Sequence, residues 1–476
     1  LTLERKQGRG EDERYVFGIP ELDEAYAEAL EPGTTLLIAG HPGAGKTTFA
    51  ATICYSNALR GKPCLYVSFN ERYDKFVSQM SKFGMDFERL KEEGLFKFIR
   101  VPVIAGEDVI DVLGDTVINN ATKLNAKVVV IDSTTPISKA VKGYGKGRSV
   151  LQNFFYDLSI LVRGLVIMIE ELPLGMKALP ITDVEFVADA VILMKHEVKE
   201  SLLVRLMEFR KFRGARLTIA EVPFTIMEGR GIKVFMPPVL NKVPPPKKDR
   251  EYRIPCRLLE KVVGPIYPGM TILLATPPHA RSLGHALTPV LALIVKHGLK
   301  VGVVSYRISS EEVLEVAKSL ARDMGINPKA VKRYISFIEA INPTAYSLGE
   351  LVNIEMDLID RYKPDIVVFL APELIPSSQV DSTYLRTLYN QLLYLRSKGI
   401  TVVRIVSPLS EGSFTAQADL ADVIMRLEYV RDKDTGELKQ QVFISTQDRP
   451  PKIVDEEAMN RCIEEVRREV AKRMQG

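Results

Sequence analysis

The residues best equipped for chemistry stand together in one loop, Gly40-His41-Pro42-Gly43-Ala44-Gly45-Lys46-Thr47-Thr48, which fits G-x-x-x-x-G-K-[ST] at every fixed position. Glycines let a backbone curl until successive N–H groups point inward at phosphate oxygens. In a loop of this kind Lys46 reaches the β- and γ-phosphates of a nucleotide, and the Thr47 hydroxyl holds a Mg²⁺ ion. A glycine-rich turn that binds nothing is the bland alternative, and the flanks argue against it. Residues 34–39 (TTLLIA) read as a buried strand in front of the loop, and residues 49–54 begin an apolar helical run behind it.

A second chemical group follows from the same alternation of strands and helices. Residues 127–133 (KVVVIDS) form a continuous hydrophobic strand capped by an acid. They look like the second phosphate-and-metal element of such sites, in which Asp132 accepts a hydrogen bond from Thr47 or from a Mg²⁺-bound water. Apolar runs ending in Asp are common, and a helix N-cap accounts for many of them. A further strand at residues 63–69 (PCLYVSF) ends in Asn70-Glu71-Arg72, which places polar side chains at the carboxyl end of a strand, where open α/β sheets bind ligands.

The elements that must position these groups recur along the chain. A charged leader (1–14) precedes a first domain over 15–240, with helical patterns near 74–82, 107–124 and 149–162 and strands near 96–101 and 165–169. Glu170 and Glu171 close the last of these strands. From 202 to 225 the strands become charged, which suggests antiparallel additions at the edge of a mostly parallel sheet. Residues 241–253 are rich in proline and lysine and make a semi-rigid linker. Over 254–454 the first half returns: 267–275 parallels 31–39, 300–306 parallels 63–69, 365–370 parallels the strand ending at Asp132, and 421–424 parallels 188–191. The chemistry does not return with it. Ser282 stands at the place of Lys46, Leu283 at Thr47 and Leu370 at Asp132, so this domain is expected to lack an ordinary Mg-nucleotide site, while His279 and Arg281 remain candidates for an unrelated anion contact. Residues 455–476 place Met459, Cys462, Ile463, Val466, Val470 and Met474 at helical spacing among charges, an amphipathic helix that docks on its own domain or on a partner.

Composition sets the limits. With 476 residues, 46% hydrophobic and 26% charged, the chain reads as a soluble protein of at least two domains. A formal net charge of +4 is too small to imply nucleic-acid binding by itself. Cys54, Cys64, Cys256 and Cys462 show no C-x-x-C pair and no zinc spacing, which favours a reducing cytoplasm. No signal peptide or membrane span is visible.

The arrangement resembles the KaiC-like branch of the RecA superfamily of ATPases over nearly the whole chain. The most specific stretch is 208–214 (EFRKFRG), followed by Pro223-Phe224-Thr225-Ile226 and Gly231-Ile232, similar to the K-x-R-G strand and the P-F-x-I element of that family. The resemblance implies two tandem α/β domains, each a mostly parallel twisted sheet flanked by helices, with ATP and Mg²⁺ as cofactors of the first. It implies that Lys211 and Arg213 act in trans on the γ-phosphate held by a neighbouring subunit, hence a homo-oligomeric ring, expected to be a hexamer. The family carries paired glutamates after its second strand, and here the pair reads Asn70-Glu71. Glu71 is therefore the candidate general base, and slow hydrolysis is expected. The second domain becomes a scaffold that stabilises the ring or presents its nucleotide state to an unidentified protein partner. A RecA-type protein acting on DNA is the competing reading, for which the basic loop 139–148, with Lys142, Lys146 and Arg148, is the candidate contact. A non-hydrolysing assembly module is the third.

Overall fold

Short apolar runs bounded by glycine and charged turns become the parallel centres of two sheets, because strands covered by helices on both faces must be hydrophobic throughout. The computed structural model describes residues 14–475 apart from 102–108, 136–146, 174–187, 200, 216, 218, 278–283, 376–381, 408–409 and 432–435. The chain divides between Met236 and Pro237 into two units.

The first unit runs α1 (Pro20–Ala25), β1 (Thr35–Gly40), α2 (Lys46–Ala58), β2 (Cys64–Ser68), α3 (Tyr73–Ser81), α4 (Phe87–Glu92), β3 (Phe96–Arg100), α5 (Val109–Leu124), β4 (Val128–Asp132), α6 (Gly147–Val162), β5 (Leu165–Glu171), β6 (Ala190–Lys199), β7 (Leu202–Phe212), β8 (Glu221–Met227) and β9 (Gly231–Val234). Its sheet has the order β3-β2-β4-β5-β1-β6-β7-β8-β9. Strands β3 to β6 in that order pair in parallel, and β7, β8 and β9 add as antiparallel strands at one edge, as the charged patterning after residue 202 predicts. One face packs against α2, α3 and α4 and the other against α5 and α6, and β1 is buried along its whole length. Asn57, fully buried on α2, accepts from Val16 N (3.1 Å) and donates to Val16 O and Ile53 O (both 2.8 Å), which fastens the entering chain to that helix.

The second unit runs α7 (Arg257–Val263), β10 (Thr271–Ala275), α8 (Gly284–His297), β11 (Val301–Ser305), α9 (Ser310–Asp323), β12 (Ile335–Ala340), α10 (Leu348–Tyr362), β13 (Ile366–Leu370), α11 (Ser382–Lys398), β14 (Thr401–Val406), α12 (Glu411–Ala418), β15 (Val423–Arg431), β16 (Leu438–Thr446), β17 (Arg449–Asp455) and α13 (Glu456–Gln475). The order β12-β11-β13-β14-β10-β15-β16-β17 repeats that of the first sheet without a counterpart to β9. Both units are α/β, with mostly parallel sheets flanked by helices. Capping boxes at Ser309/Glu312 and Ser347/Glu350 start α9 and α10. Met459, Cys462, Val466 and Val470 of α13 are buried in the core of this same unit.

Each unit ties its first strand to the next by an aspartate. Asp189 Oδ2 accepts from Thr35 N (3.0 Å) and Thr35 Oγ1 (2.8 Å), and its Oδ1 accepts from Arg213 Nη1 (2.7 Å). Asp422 Oδ2 accepts from Thr271 N (2.7 Å) and from Arg396 Nη2 (2.6 Å).

The expectation drawn from the cysteines needs correction. Cys54 of α2 is bonded to Cys64 of β2, and Cys256, which caps α7, to Cys462 of α13, with Cα separations of 5.9 and 5.3 Å. The partners sit on separate elements, so their spacing in sequence carries no trace of the pairing. Disulfides persist in oxidising compartments and also in the cytosol of hyperthermophiles, so cysteine usage leaves the compartment open. Among the described residues no helix is long and apolar enough to cross a membrane.

The two units also differ inside the second sheet. Parallel pairing sets Leu37 opposite Met168 in the first unit and Leu273 opposite Arg404 in the second, so a buried arginine replaces a buried methionine. Arg404 Nη2 donates to Tyr384 Oη (2.7 Å) and Gln417 Oε1 (3.1 Å). Close by, Glu355 accepts from Gln391 Nε2 (2.5 Å) and from the Tyr306 hydroxyl. Burial raises the Glu355 pKa from 4.5 to about 7, against the opposing pull of the Tyr306 and Gln391 hydrogen bonds and of Arg404. The folded state thus holds this proton more tightly than the unfolded chain does. Its contribution to stability is fully present below about 4.5 and is lost as pH rises through about 7. Urea unfolding of the second unit followed by circular dichroism should show stability falling by roughly 3 kcal/mol across that window, and Glu355→Gln should flatten the profile.

Candidate nucleotide site

The site is assembled where β1 passes into α2. Gly40 must be glycine because a Cβ there would lie 2.1 Å from the Met194 carbonyl oxygen of the adjacent β6. Gly43 and Gly45 take φ of +76° and +95°, the left-handed region that turns the chain back onto the helix start. No side chain caps α2 at Gly45, so the loop and first-turn N–H groups keep the arrangement that binds anions. Ala44 is buried and its N–H donates to His41 O (3.1 Å), while Pro42 and Gly43 are exposed at the tip. Thr48 is buried behind the loop.

Lys46 is 7% exposed and its Nζ donates to His41 O at 2.9 Å, so the ammonium folds back over the loop where phosphate would lie. Burial pushes its pKa below the ordinary lysine value, while Glu171 and Asp132 act against that shift. Thr47 Oγ1 donates to Asp132 Oδ2 at 2.9 Å, across 85 residues of sequence. The same oxygen accepts from Tyr66 Oη at 2.8 Å. Burial pushes the Asp132 carboxyl above the usual aspartate range. The Tyr66 and Thr47 hydrogen bonds oppose this, Glu71 adds to it, and Lys46 lowers it. A hydroxyl and a carboxylate in contact form the hard oxygen donor set that suits Mg²⁺, which keeps several waters and takes few protein ligands. Among the described residues no group of three or more His, Cys, Asp or Glu gathers as a metal cluster.

Glu71 follows the carboxyl end of β2, which pairs Ser68 opposite Asp132 on β4. Its N–H donates to Ser68 Oγ (3.0 Å), and its carboxylate lies 3.5 Å from Lys75 Nζ with 19% side-chain exposure. Asn70 is exposed beside it. The predicted basic pair lies elsewhere. Lys211 Nζ donates to Ala188 O (2.6 Å), and Arg213 bonds Asp189, which holds Thr35 at the amino end of β1. The P-loop leaves the opposite, carboxyl end of that six-residue strand, about 17 Å away at 3.3 Å per residue. The structure therefore brings together Lys46, Thr47, Asp132 and Glu71 and separates Lys211 and Arg213 from them. Tyr66 and Glu171 are the residues that sequence reading did not assign. Tyr66 falls inside an apolar strand with no pattern to mark its hydroxyl, whereas Glu171, one of the two acids ending β5, could have been reached from its place at a strand's carboxyl end. Residues 139–146 of the basic loop, including Lys142 and Lys146, and positions 278–283 of the second unit lie outside the described residues. Leu370 does occupy the register of Asp132, opposite Ser305 as Asp132 is opposite Ser68.

A phosphate loop between a parallel strand and a helix, beside a strand-end carboxylate in a sheet with β1 inside it, defines a P-loop nucleotide-binding domain of the RecA type. Residues 16–239 match the family model described as the KaiC ATPase, and the first unit is a KaiC-like ATPase domain. It is similar to the circadian clock protein KaiC3 of Synechocystis, 26% identical over 230 residues, which are 47% of this chain and 46% of the relative. It is also similar to the circadian clock oscillator protein KaiC of Picosynechococcus, 29% identical over 224 residues, 46% of this chain and 43% of the relative. A UPF0273 protein of Pyrococcus furiosus is 25% identical over 249 residues, 48% of this chain and 96% of that shorter protein. The match thus spans less than half the length of these two clock proteins.

Replacing Tyr66 by Phe removes one of the two hydroxyls that stabilise the Asp132 carboxylate. Mg²⁺-dependent nucleotide binding should fail as pH falls through a midpoint above 3.8, and Tyr66→Phe should move that midpoint upward. Titrating a fluorescent nucleotide at several pH values, with and without Mg²⁺, reads both effects.

Proposed function

We propose that the first unit binds ATP with Mg²⁺ and hydrolyses it slowly, within a homo-oligomeric ring whose nucleotide state switches an assembly used in signalling or regulation. The observation that carries this reading is the division of the site. Lys46, Thr47, Asp132 and Glu71 stand together, while Lys211 and Arg213 lie at the far end of β1, out of reach of their own loop. Loop residues 40–48 would hold the phosphates, and Thr47 and Asp132 would hold Mg²⁺, Asp132 through water. The ion when bound neutralises charge on the phosphate oxygens. Glu71 orients the attacking water and takes its proton as the water oxygen bonds to the γ-phosphorus and the bond to the ADP oxygen breaks. Lys211 and Arg213 of one subunit stabilise the charge that develops on the γ-phosphate of the next. Arg213 is 63% exposed, and an exposed ion pair of its kind is worth about 1 kcal/mol or less, so leaving Asp189 costs little.

Self-association is supported by Tyr156, Ile160 and Leu161 on α6, which are 61%, 54% and 46% exposed and form an apolar strip that a monomer would leave in water. A hexamer is the ring we expect. The second unit serves as a pseudo-ATPase scaffold that stabilises the ring or offers its state to a protein partner. A cytoplasmic location is the one we expect for a protein that works on ATP.

Phosphate release should fall by about 10²-fold or more in Lys46→Ala and in Arg213→Ala, as expected when one charge-stabilising group is removed. Rings mixed from the two variants should recover activity, because some interfaces then combine an intact loop with an intact arginine. Equal release by wild type and Lys46→Ala would leave a non-hydrolysing assembly module. Native mass measured with and without ATP reads the ring.

A further inference from the structure

The second unit contains a cavity of about 440 Å³ between its sheet and helices α8 and α9. Its origin can be traced position by position. In the first unit the same space is filled by aromatic rings: Tyr66, Phe87, Phe96 and Phe98 surround Phe76 with ring centroids 4.7 to 6.1 Å from it. Strand pairing sets Cys64 opposite Phe96 and Tyr66 opposite Phe98 in the first unit, and Val301 opposite Ile335 and Val303 opposite Ile338 in the second. Helix α3 starts at Tyr73, five positions after Ser68, and α9 starts at Ser310, five positions after Ser305, so Val313 stands where Phe76 does. Four aromatic side chains thus give way to Val303, Val313, Ile335 and Ile338, all of which line the cavity. Large-to-small exchange of this kind leaves a void because the surrounding structure closes only in part.

Apart from the Tyr334 hydroxyl, which accepts from Arg333 Nη2 (2.8 Å), the polar lining is confined to one end. Thr276 follows β10, Arg307 follows β11, Glu373 follows β13 and Ser407 follows β14, all at the carboxyl ends of parallel strands, where open α/β sheets take ligands. Arg307 Nη2 donates to Glu373 Oε1 at 2.7 Å, and the Thr276 and Ser407 hydroxyl oxygens are 3.4 Å apart. The Arg307 side chain is 48% exposed and that of Glu373 is 1% exposed, so the pair runs from solvent into the protein. The volume and the apolar wall with few convergent polar groups fit a small-molecule site.

We propose that this cavity binds an aliphatic ligand with a single uncharged oxygen head group, such as an alcohol or ketone. The chain fills the space vacated by the aromatic rings, and the head exchanges hydrogen bonds with Arg307 and the two hydroxyls. A carboxylate head is disfavoured because Arg307 is already neutralised by Glu373, and a second anion beside that buried carboxylate would lack a counter-charge. The inference is independent of hydrolysis in the first unit.

The chain contains no tryptophan, so Tyr334→Trp, in the cavity wall, provides a single reporter in the full-length protein. Titration with 10-bromodecan-1-ol should quench it saturably, with 2-bromoethanol producing only linear collisional quenching and 10-bromodecanoate binding at least about tenfold more weakly. Adding Val313→Phe with Ile335→Phe, which restores two of the four aromatic side chains of the first unit, should abolish saturable quenching without lowering the thermal midpoint. Leu291→Phe, which fills the same space from α8, should do the same, so a folding failure in the double variant does not decide the matter. Quenching by bromodecanol no different from bromoethanol, or unchanged in a folded filled variant, overturns the site. Carboxylate binding equal to or tighter than the alcohol overturns the head-group assignment.

Discussion

The first unit depends on one contact, the hydrogen bond from Thr47 to Asp132. It can form only if α2 begins where β1 ends and β4 stops level with it, two strands away across β5. Parallel register achieves this. Leu37 is level with Met168, and Asp132 with Ile169, so the carboxyl ends of β1, β5 and β4 emerge on one rim. Helices on both faces make that register costly to slip, because a shift of one residue would turn each buried side chain to the opposite face.

Burial gives this contact its chemical character. Lys46 and Asp132 are both withdrawn from water, and each is displaced from its ordinary pKa in the direction that disfavours its charge. Anionic phosphate and a divalent ion would restore the missing charge partners to both. A loop built in this way gains more from its ligand than an exposed lysine and aspartate would.

Legibility in the sequence followed locality. The loop, the apolar strands and the edge hairpins were readable because each is encoded in a contiguous window: a fixed spacing, a hydrophobic run, a switch to charged alternation. The pairing of Cys256 with Cys462, the hydroxyl of Tyr66 beneath Asp132 and the buried Arg404 were not, because each acquires its meaning from a residue distant in the chain. The second unit shows the same limit. The duplicated order of elements could be read, but the cavity could not, since it follows from four separate exchanges that converge only once β11, β12 and α9 are packed together.

Asp189 and Asp422 occupy matching places but retain their cations differently. Arg396 is mostly buried on a helix of its own unit, with 19% side-chain exposure, whereas Arg213 stands in solvent just beyond β7. Withdrawal of Arg213 leaves both Thr35 bonds to Asp189 in place, so the junction of β1 and β6 stays closed while the guanidinium moves. Arg213 can therefore leave Asp189 without loosening the strand that launches the phosphate loop, so in the proposed ring the movement of the arginine would be mechanically decoupled from the loop of its own subunit.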